Sequence, residues 1–397
     1  MEITSELSLG KYFTFEPSKG RPIYDWFYYK EAFSPEIVEY VIHNYAKNAK
    51  SLFDPFCGAG TTVLCAKQHG INSFAVDSSP LAVFVSRAKC ADYSERDIEE
   101  IKKFMEPREA RHKTRDAESK TQHPPEAIDW QFELFPPSRA FPPSNLNQML
   151  AIRSRLEALE NENASNLLML ALLSIIPQTS LVVKDGGVLK IDKKKRAMPV
   201  KDAFKRKVKS MLADLGRTEA RTRDPRHDIR LGDARKTEFE NETADVIVTS
   251  PPYLNNIDYS KVYGLELSLL ALDKRITATT RARSVRSFIT STAFDSLELP
   301  EEVREFADKI PIVGSYFSDM RSVLLEMHRI LRPGGVVGFV VGNSVIHETH
   351  ILVDEVIGEM AEKIGFDVEI VVGLERIADV RPAKVKTRES MIMMKKQ

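Results

Sequence analysis

The stretch Thr249-Ser250-Pro251-Pro252-Tyr253 brings together a hydroxyl, two prolines and an aromatic ring directly after the apolar run 244–248. That run predicts a buried parallel strand, and open α/β sheets bind their ligands at the carboxyl ends of such strands. Because proline lacks an N–H and has a fixed φ, we expect the Pro251 carbonyl to be a rigid outward acceptor beside the Ser250 hydroxyl. These groups and the Tyr253 ring suit a planar substrate whose amino group must be held, such as a flipped nucleobase. The alternative is a proline-rich turn with a buried tyrosine.

A second stretch, residues 51–67, predicts a short strand, a glycine turn at Gly58-Ala59-Gly60 and a helix. This arrangement lets the backbone approach a ligand closely at a helix N-terminus. The next strand ends at Asp77, about twenty residues further on, where a carboxylate can accept both hydroxyls of a ribose. Together these features predict a nucleoside-cofactor site, with an ordinary βαβ unit as the alternative.

The remaining chain divides by its rhythm of strands and helices into residues 1–94, 95–226 and 227–397. The first and last parts alternate strands and helices, which predicts one α/β domain interrupted by a largely helical insertion. Aromatic residues crowd before Ser34-Pro35, a helix start, and form either a packed lid on the sheet or a wall of the cofactor pocket. The insertion carries a dense basic run whose centre, Lys193, Lys194, Lys195 and Arg196, favours phosphate contact over a merely solvated surface.

Composition sets limits on the function. Lysine plus arginine equal aspartate plus glutamate at 57 each, so any nucleic-acid surface must be a local patch. Three cysteines without ligand spacing and the absence of a basic, apolar start predict a cytoplasmic protein, and the apolar run 167–176 is too short to cross a membrane. His347 and His350 lack the spacing of a two-turn zinc motif, so we expect no metal.

With these motifs, the sequence resembles the DNA amino-methyltransferases, which use S-adenosyl-L-methionine to methylate N4 of cytosine or N6 of adenine. The resemblance rests on Asp-Pro-Phe-Cys-Gly-Ala-Gly-Thr-Thr at 54–62 and Thr-Ser-Pro-Pro-Tyr at 249–253. Shorter likenesses at 33–36, 331–335 and 388–390 extend it over residues 21–92 and 227–397. It implies a Rossmann-like class I methyltransferase fold with a seven-stranded, mainly parallel sheet. The cofactor motif precedes the catalytic motif, whereas many cytosine-N4 enzymes have the reverse order.

The resemblance also implies roles for individual residues. The catalytic set would be Ser250, Pro251, Pro252 and Tyr253. The cofactor-binding set would be Phe33, Asp54, Phe56, Gly58, Gly60, Thr61, Asp77 and Asp233, although Asp233 could instead cap the residues after it. Target recognition falls either on the insertion or on residues 260–312, where Arg281 and Arg283 are the candidate DNA contacts.

The expected partner is DNA, and a restriction endonuclease is a further candidate. Cytosine N4 is favoured because serine before the two prolines accompanies cytosine in the family, with adenine N6 as the alternative. An RNA amino-methyltransferase and a catalytically inactive nucleic-acid-binding protein are the other interpretations. Carbon-5 chemistry is set aside because it needs a cysteine after a proline as nucleophile, and every cysteine lies before residue 91.

Overall fold

The computed structural model describes residues 1–106, 128–185, 187–217, 225–255, 257–288, 303–304, 310–346, 349–380 and 383–397, with the side chains of 378–380 and 383–384 left aside. The strands are β1 Glu2–Ser5, β2 Ser51–Asp54, β3 Asn72–Asp77, β4 Val182–Asp185, β5 Val188–Ile191, β6 His227–Leu231, β7 Ala244–Thr249, β8 Leu331–Gly342, β9 Ser344–Ile346, β10 Thr349–Ile351, β11 Phe366–Val380 and β12 Ala383–Lys396. The helices are α1 Pro35–Tyr45, α2 Thr61–Gln68, α3 Pro80–Cys90, α4 Glu95–Met105, α5 Pro137–Ala140, α6 Pro143–Glu157, α7 Glu162–Ser174, α8 Ile176–Thr179, α9 Val200–Leu215, α10 Tyr259–Val262, α11 Gly264–Ala271, α12 Ile276–Arg283, α13 Pro311–Ile330 and α14 Val353–Ile364.

The central sheet has the strand order β1-β11-β12-β8-β7-β2-β3-β6 within the described residues. Only β12 runs antiparallel to its neighbours; the other pairings in this sheet are parallel. The predicted Rossmann-like methyltransferase fold is confirmed, with eight strands here instead of seven. The additional strand is β1, which pairs with β11 at the edge and which its polar sequence hides.

Helices cover both faces of the sheet because successive side chains of its buried strands point to opposite sides. Leu52 and Val248 pack towards α1 and α2, whereas Phe53 and Ile247 pack towards α13 and α14. This double burial requires strands that are apolar on both faces, which is the pattern of the run 244–248. The two motifs of the sequence follow β2 and β7, which are parallel neighbours.

The described part of 95–226 contains α4 to α9 and the hairpin β4–β5. Its centre is α7, whose run 167–173 is buried and packs in one core with α3 and α11. Two polar contacts tie this region to the helix after the proline motif: Trp130 donates to Ser268 at 2.9 Å, and Lys184 pairs with Glu266 at 2.9 Å. Within the described residues no helix is both long and apolar enough to span a bilayer.

Candidate active site

A cavity of about 420 Å³ opens at the carboxyl ends of β2, β3, β6 and β7. Both sequence motifs face it. The predicted residues that line it are Phe33, Asp54, Phe56, Gly58, Thr61, Asp77, Asp233, Ser250, Pro251, Pro252, Tyr253 and Arg283. Gly60, Arg281 and the basic residues 193–196 are not among the lining residues. A volume of this size lies within the range of roughly 300–1,000 Å³ that is typical of small-molecule sites.

The glycine turn, residues 55–60, is held by the carboxylate of Asp77. One oxygen of Asp77 accepts the Gly58 N–H at 2.9 Å, and the other accepts the Ser79 N–H at 2.8 Å. Burial raises the pKa of Asp77 to about 6, while the backbone donors pull it down. A carboxylate offers about four lone-pair sites, so each oxygen keeps acceptor capacity for a ligand hydroxyl.

Gly60 has a structural reason to be glycine. Its φ is +76°, and a Cβ there would lie 2.9 Å from the Cα of Ser86 on α3. A side chain would therefore be strained by the backbone and would collide with the next helix. Gly60 shapes the turn and begins α2, whereas Gly58 faces the cavity.

Asp54 joins the two motifs. Its Oδ1 accepts the Thr249 hydroxyl at 2.6 Å and the Phe56 N–H at 3.0 Å. Burial raises the pKa of Asp54 to about 6, partly opposed by these hydrogen bonds. The glycine turn and the loop after β7 are thereby fixed to each other.

The proline loop, Ser250–Tyr253, runs from the end of β7 along the cavity. The Tyr253 ring lies over Gly342 at the end of β8, where a Cβ would come within 3.1 Å of the ring. Burial raises the pKa of Tyr253 well above its usual range, so its phenol stays neutral. Glu389 and Arg376 also line this part of the cavity and pair at 3.0 Å.

The aromatic segment before α1 has both roles that its sequence allowed, because some of its residues pack in the core and others line the cavity. Phe27 packs in the core with α3 and the insertion, whereas Tyr29 and Phe33 line the cavity. Tyr29 stacks on Tyr263 with ring centroids 4.4 Å apart. The Tyr263 hydroxyl donates to Glu31 at 2.7 Å, so this wall is rigid and has an acidic edge.

Residues 284–288, the strap, cover the cavity near β3 and β6. The hydroxyl of Ser284 lies 3.1 Å from that of Ser78, which follows Asp77. Arg286 donates to the buried carboxylate of Asp319 on α13 from its backbone at 2.9 Å and from its guanidinium at 2.6 Å. Arg235 binds the same carboxylate at 3.2 Å. The strap is therefore anchored to the fold by an ion-pair network.

Two hydroxyls on this wall have no recorded partner in the described structure. They belong to Thr280, 4% exposed, and Ser287, 1% exposed, and both residues line the cavity. Buried hydroxyls are normally hydrogen-bonded, and an unpaired one costs about 1–3 kcal/mol. Such groups in a cavity wall are suited to a polar ligand.

Two other predicted residues are already engaged within the protein. Asp233 binds Arg235 through both its backbone N–H at 2.9 Å and its guanidinium at 2.7 Å. The residue therefore makes the local capping contact that was its alternative role, while still lining the cavity. Arg281 binds Asp258 at 2.6 Å and Glu133 at 3.2 Å, so part of the guanidinium that was predicted to contact DNA is engaged within the protein.

The basic residues 193–196 follow β5 and do not line the cavity. Lys193, Lys194 and Arg196 are exposed, but the Lys195 ammonium donates to the carbonyls of Pro177 and Val182 at 2.5 Å each. Gly187, at the other end of β5, packs against the cavity residue Ile257.

Cysteine and metal chemistry are not supported by the described residues. Cys57, Cys65 and Cys90 are buried free thiols, and burial raises the pKa of Cys57 well above its usual range. No group of three or more His, Cys, Asp or Glu side chains in the described residues could hold a metal ion. His347 and Glu348 lie outside those residues.

Several cavity residues escaped the sequence analysis, among them Glu31, Tyr263, Ser287 and Glu389. Glu31, Tyr263 and Ser287 belong to no recognised motif, and Glu389 lies in the short likeness at 388–390 without an assigned role. The signal that could have found Tyr263 is its position at the junction of α10 and α11, shortly after the proline loop. Glu389 was noted only as part of a last strand.

Comparisons with known proteins also point to methyltransferases, although no family model matches the chain. The chain is 28% identical to the Type II methyltransferase M.AvaI of Nostoc sp. over 412 residues, covering 90% of this chain and 82% of that protein. It is 24% identical to the Type II methyltransferase M.BsoBI of Geobacillus stearothermophilus over 426 residues, covering 90% and 81%.

Among solved structures, a SAM-dependent methyltransferase from Methanosarcina mazei is 8% identical, with a TM-score of 0.31, over 90% of this chain and 96% of its own. A TM-score this low is no evidence for the fold, which is assigned instead from the strand order of the central sheet. The relatives by sequence span nearly the whole chain, including the insertion. The resemblance to the DNA methyltransferases that the two motifs predicted is therefore confirmed along nine-tenths of this chain.

Proposed function

We propose that this protein is a DNA methyltransferase that transfers a methyl group from S-adenosyl-L-methionine to an exocyclic amino group of a flipped base, with N4 of cytosine favoured. One observation carries the proposal: the glycine turn and the proline loop leave adjacent parallel strands and face one cavity. The Type II methyltransferase relatives over nine-tenths of the chain support it.

The described residues fit the cofactor on one side of the cavity. Asp77 keeps acceptor capacity for the ribose hydroxyls, and Gly58 leaves room for close backbone approach. The buried hydroxyls of Thr280 and Ser287 offer hydrogen bonds that the protein itself does not use. When bound, the cofactor would supply an electrophilic methyl group on its sulfonium.

The proline loop fits the target amine. An exocyclic amino group is a poor nucleophile because its lone pair is delocalised into the ring. If the Ser250 hydroxyl and the Pro251 carbonyl accept its two hydrogens, the nitrogen becomes more tetrahedral and its lone pair becomes available. The same acceptors stabilise the positive charge that develops on the nitrogen during transfer. Tyr253 supplies a flat face on which the flipped base can stack.

The choice of cytosine rests on Ser250, because the resemblance implies serine at this position for cytosine and an acid or amide for adenine. Adenine N6 presents two hydrogens in the same way, so the loop could serve either base. The relatives' Type II designation supports a restriction endonuclease as a partner of this enzyme. An RNA substrate is less well supported because no RNA-binding module was recognised in the sequence.

The experiment is to incubate purified protein with unmethylated DNA and the cofactor, digest the DNA, and identify the methylated nucleosides by mass spectrometry. We expect N4-methylcytosine, and none with Ser250→Ala combined with Tyr253→Ala. N6-methyladenine alone would overturn the base while leaving the mechanism intact. Transfer to RNA but not DNA, or cofactor binding without transfer, would favour the RNA or the inactive interpretation.

A further inference from the structure

Glu389 meets Tyr253 directly above the end of β8. In the sheet Glu389 on β12 is the register partner of Gly342 on β8. Gly342 has no side chain, and a Cβ built there would lie 3.1 Å from the Tyr253 ring and 3.3 Å from the Glu389 Cγ. The ring and the acidic side chain therefore approach each other across a gap that only glycine leaves open.

This position is on the far side of the proline loop from the glycine turn. From β7, the strands β2, β3 and β6 continue in one direction and carry the glycine turn, Asp77 and Asp233. The strands β8 and β12 continue in the other direction. Neighbouring strands are about 4.8 Å apart, so Glu389 lies roughly 10 Å from β7, away from the cofactor side. The base that the proline loop holds would lie between them.

Glu389 differs from the other cavity carboxylates in the exposure of its partner. The others are held by groups that are buried or partly buried: Glu31 by Tyr263, Asp54 by Thr249, Asp77 by Gly58 and Ser79, Asp233 by Arg235, and Asp258 by Ser260 and Arg281. The side chain of Glu389 is 7% exposed and has one ion-pair partner among the described residues, Arg376, whose side chain is 54% exposed. A buried acid with one solvent-facing partner retains free acceptor capacity in the cavity.

We propose that Glu389 is the proton acceptor for the target amine, a role that rests on the proposed function. The amine nitrogen forms a bond to the methyl carbon as the carbon–sulfur bond breaks, and the sulfur keeps that electron pair as a neutral thioether. As positive charge develops on the nitrogen during this transfer, it gives up one of its two original protons. The Glu389 carboxylate takes that proton and later releases it to solvent beside Arg376.

The neighbouring groups support this assignment. The Ser250 hydroxyl and the Pro251 carbonyl can accept hydrogen bonds, but neither is basic enough to keep a proton. Burial raises the pKa of Glu389 above its usual range, against the lowering effect of Arg376, and this makes the carboxylate a stronger base. Among the described residues, the phenols of Tyr253, Tyr259 and Tyr316 also face the region, and burial raises the pKa of all three, which keeps them neutral. Glu31 lies beyond Tyr259 and is hydrogen-bonded by Tyr263.

The test is single-turnover methyl transfer to DNA as a function of pH, at saturating cofactor, for Glu389→Gln and Glu389→Asp. General-base catalysis contributes typically 10²–10⁴-fold, so we expect Glu389→Gln to slow transfer by about 10²-fold or more. The wild-type rate should fall as pH decreases and the carboxylate becomes protonated. Glu389→Gln should lose this acid limb, whereas Glu389→Asp should keep it at a reduced rate.

Glu375→Gln is the matched control. Glu375 lies on the adjacent β11, pairs with Lys386 at 2.9 Å, is 45% exposed and does not line the cavity. It should transfer methyl groups at the wild-type rate. Cofactor affinity, measured by calorimetry without DNA, should be unchanged in both glutamine variants, which shows that they are folded.

Chemical rescue gives a second, independent measurement. Glu389→Ala should recover part of its rate when acetate or formate is added, because a small carboxylate can enter the space that the side chain leaves. A wild-type rate and acid limb in Glu389→Gln would overturn the role of Glu389. Wild-type protein that binds the cofactor but transfers no methyl group would overturn the proposed function itself.

Discussion

Asp77 holds the glycine turn and also contributes a carboxyl group to the cavity. Each of its oxygens accepts a backbone N–H, and the residue lines the cavity. Burial raises its pKa to about 6, so the carboxyl is protonated in mildly acidic solution. A protonated carboxyl offers fewer acceptor sites for ribose hydroxyls. We therefore expect affinity for S-adenosyl-L-methionine to weaken as pH falls through about 6.

Titration calorimetry between pH 5 and pH 8 measures this effect, with Asp77→Asn as the comparison. The amide side chain of this variant cannot ionise, so the variant should bind more weakly at pH 8 and show a flatter pH dependence. Asp54, whose pKa burial also raises to about 6, should leave a residual slope. Equal slopes in the two proteins would remove Asp77 from the cofactor site.

The raised pKa of Asp77 affects the stability of the cofactor-free protein in the opposite direction, because stability should decrease as pH rises. The raised pKa means that the folded state binds more protons than the unfolded state between about pH 4 and pH 6. The contribution of Asp77 to stability is thus fully present below about pH 4 and is lost as pH rises through about 6. The melting temperature of Asp77→Asn relative to wild type should be higher at pH 7 than at pH 4.5.

Tyr253 offers a prediction about the target base. Its ring rests on Gly342, and its pKa is raised by burial, so stacking and not ionisation should be its contribution. Tyr253→Ala should lose about 1–3 kcal/mol of base stacking, and Tyr253→Phe should lose little. DNA affinity and single-turnover rates of the two variants, compared at a saturating cofactor concentration, provide the measurement. Equal losses would show that the hydroxyl matters more than the ring.

At this scale, the residues that could be predicted from the sequence are those inside compact motifs. Gly58, Asp77 and Ser250 lie where a strand ends, and their spacing along the chain already fixes their relation to the sheet. Glu31, Ser287 and Glu389 reach the same cavity from segments far apart in sequence. Their convergence depends on packing that no local pattern encodes.

The strap is the element whose role the sequence left most open, since residues 260–312 were a candidate for target recognition. In the structure the strap, which lies within that range, covers the cavity near β3 and β6 and is anchored by Asp319, which is 3% exposed. Asp319→Asn would leave Arg235 and Arg286 without their shared carboxylate, and breaking a buried pair in this way costs about 3–5 kcal/mol. We expect lower thermal stability and weaker cofactor binding.

Ser287→Ala tests the Ser287 hydroxyl separately from the contacts of Arg286 with Asp319 that anchor the strap. It should weaken cofactor binding several-fold without lowering the melting temperature, because the hydroxyl has no recorded partner in the protein. Ser322→Ala on α13, whose hydroxyl contacts only its own helix, is the control. Unchanged calorimetric affinity in Ser287→Ala would mean that the strap encloses the cavity without binding the cofactor.

Helices and buried strands were the elements that could be predicted, because their apolar periodicity is strong. The short strand β1 was missed because a polar edge strand has no buried pattern to display. The hairpin β4–β5 was missed because each of its strands has only four residues. The last two strands are also longer than their apolar cores. Residues 375–380 of β11 pair with 383–388 of β12 beyond the region where β12 pairs with β8.

For the whole molecule, net charge is zero, so DNA affinity must depend on local patches. Lys193 and Lys194 are exposed, and reversing both to glutamate should weaken binding to every DNA sequence alike. Each lost phosphate contact should reduce the slope of log affinity against log salt by about 0.9. Fluorescence anisotropy at several salt concentrations measures this slope.

Lys195 should be left unchanged in that experiment, because its ammonium binds two backbone carbonyls and its reversal would disturb the fold. Lys47→Glu is the control, an exposed lysine between α1 and β2 at the opposite edge of the sheet from the cavity. If the double reversal binds DNA with an unchanged salt slope, residues 193 and 194 are a solvated surface only.

The hydrogen bond between Asp54 and Thr249 joins positions 195 residues apart. During synthesis, β2 and the glycine turn leave the ribosome long before β7 exists, and at about 5–20 residues per second the delay is roughly 10–40 s. Over that interval β2 lacks its neighbour β7, and the cavity lacks the proline loop. A nascent chain therefore cannot bring the two motifs together until β7 has been made, and the cavity is complete only after β8, β11 and β12 have followed.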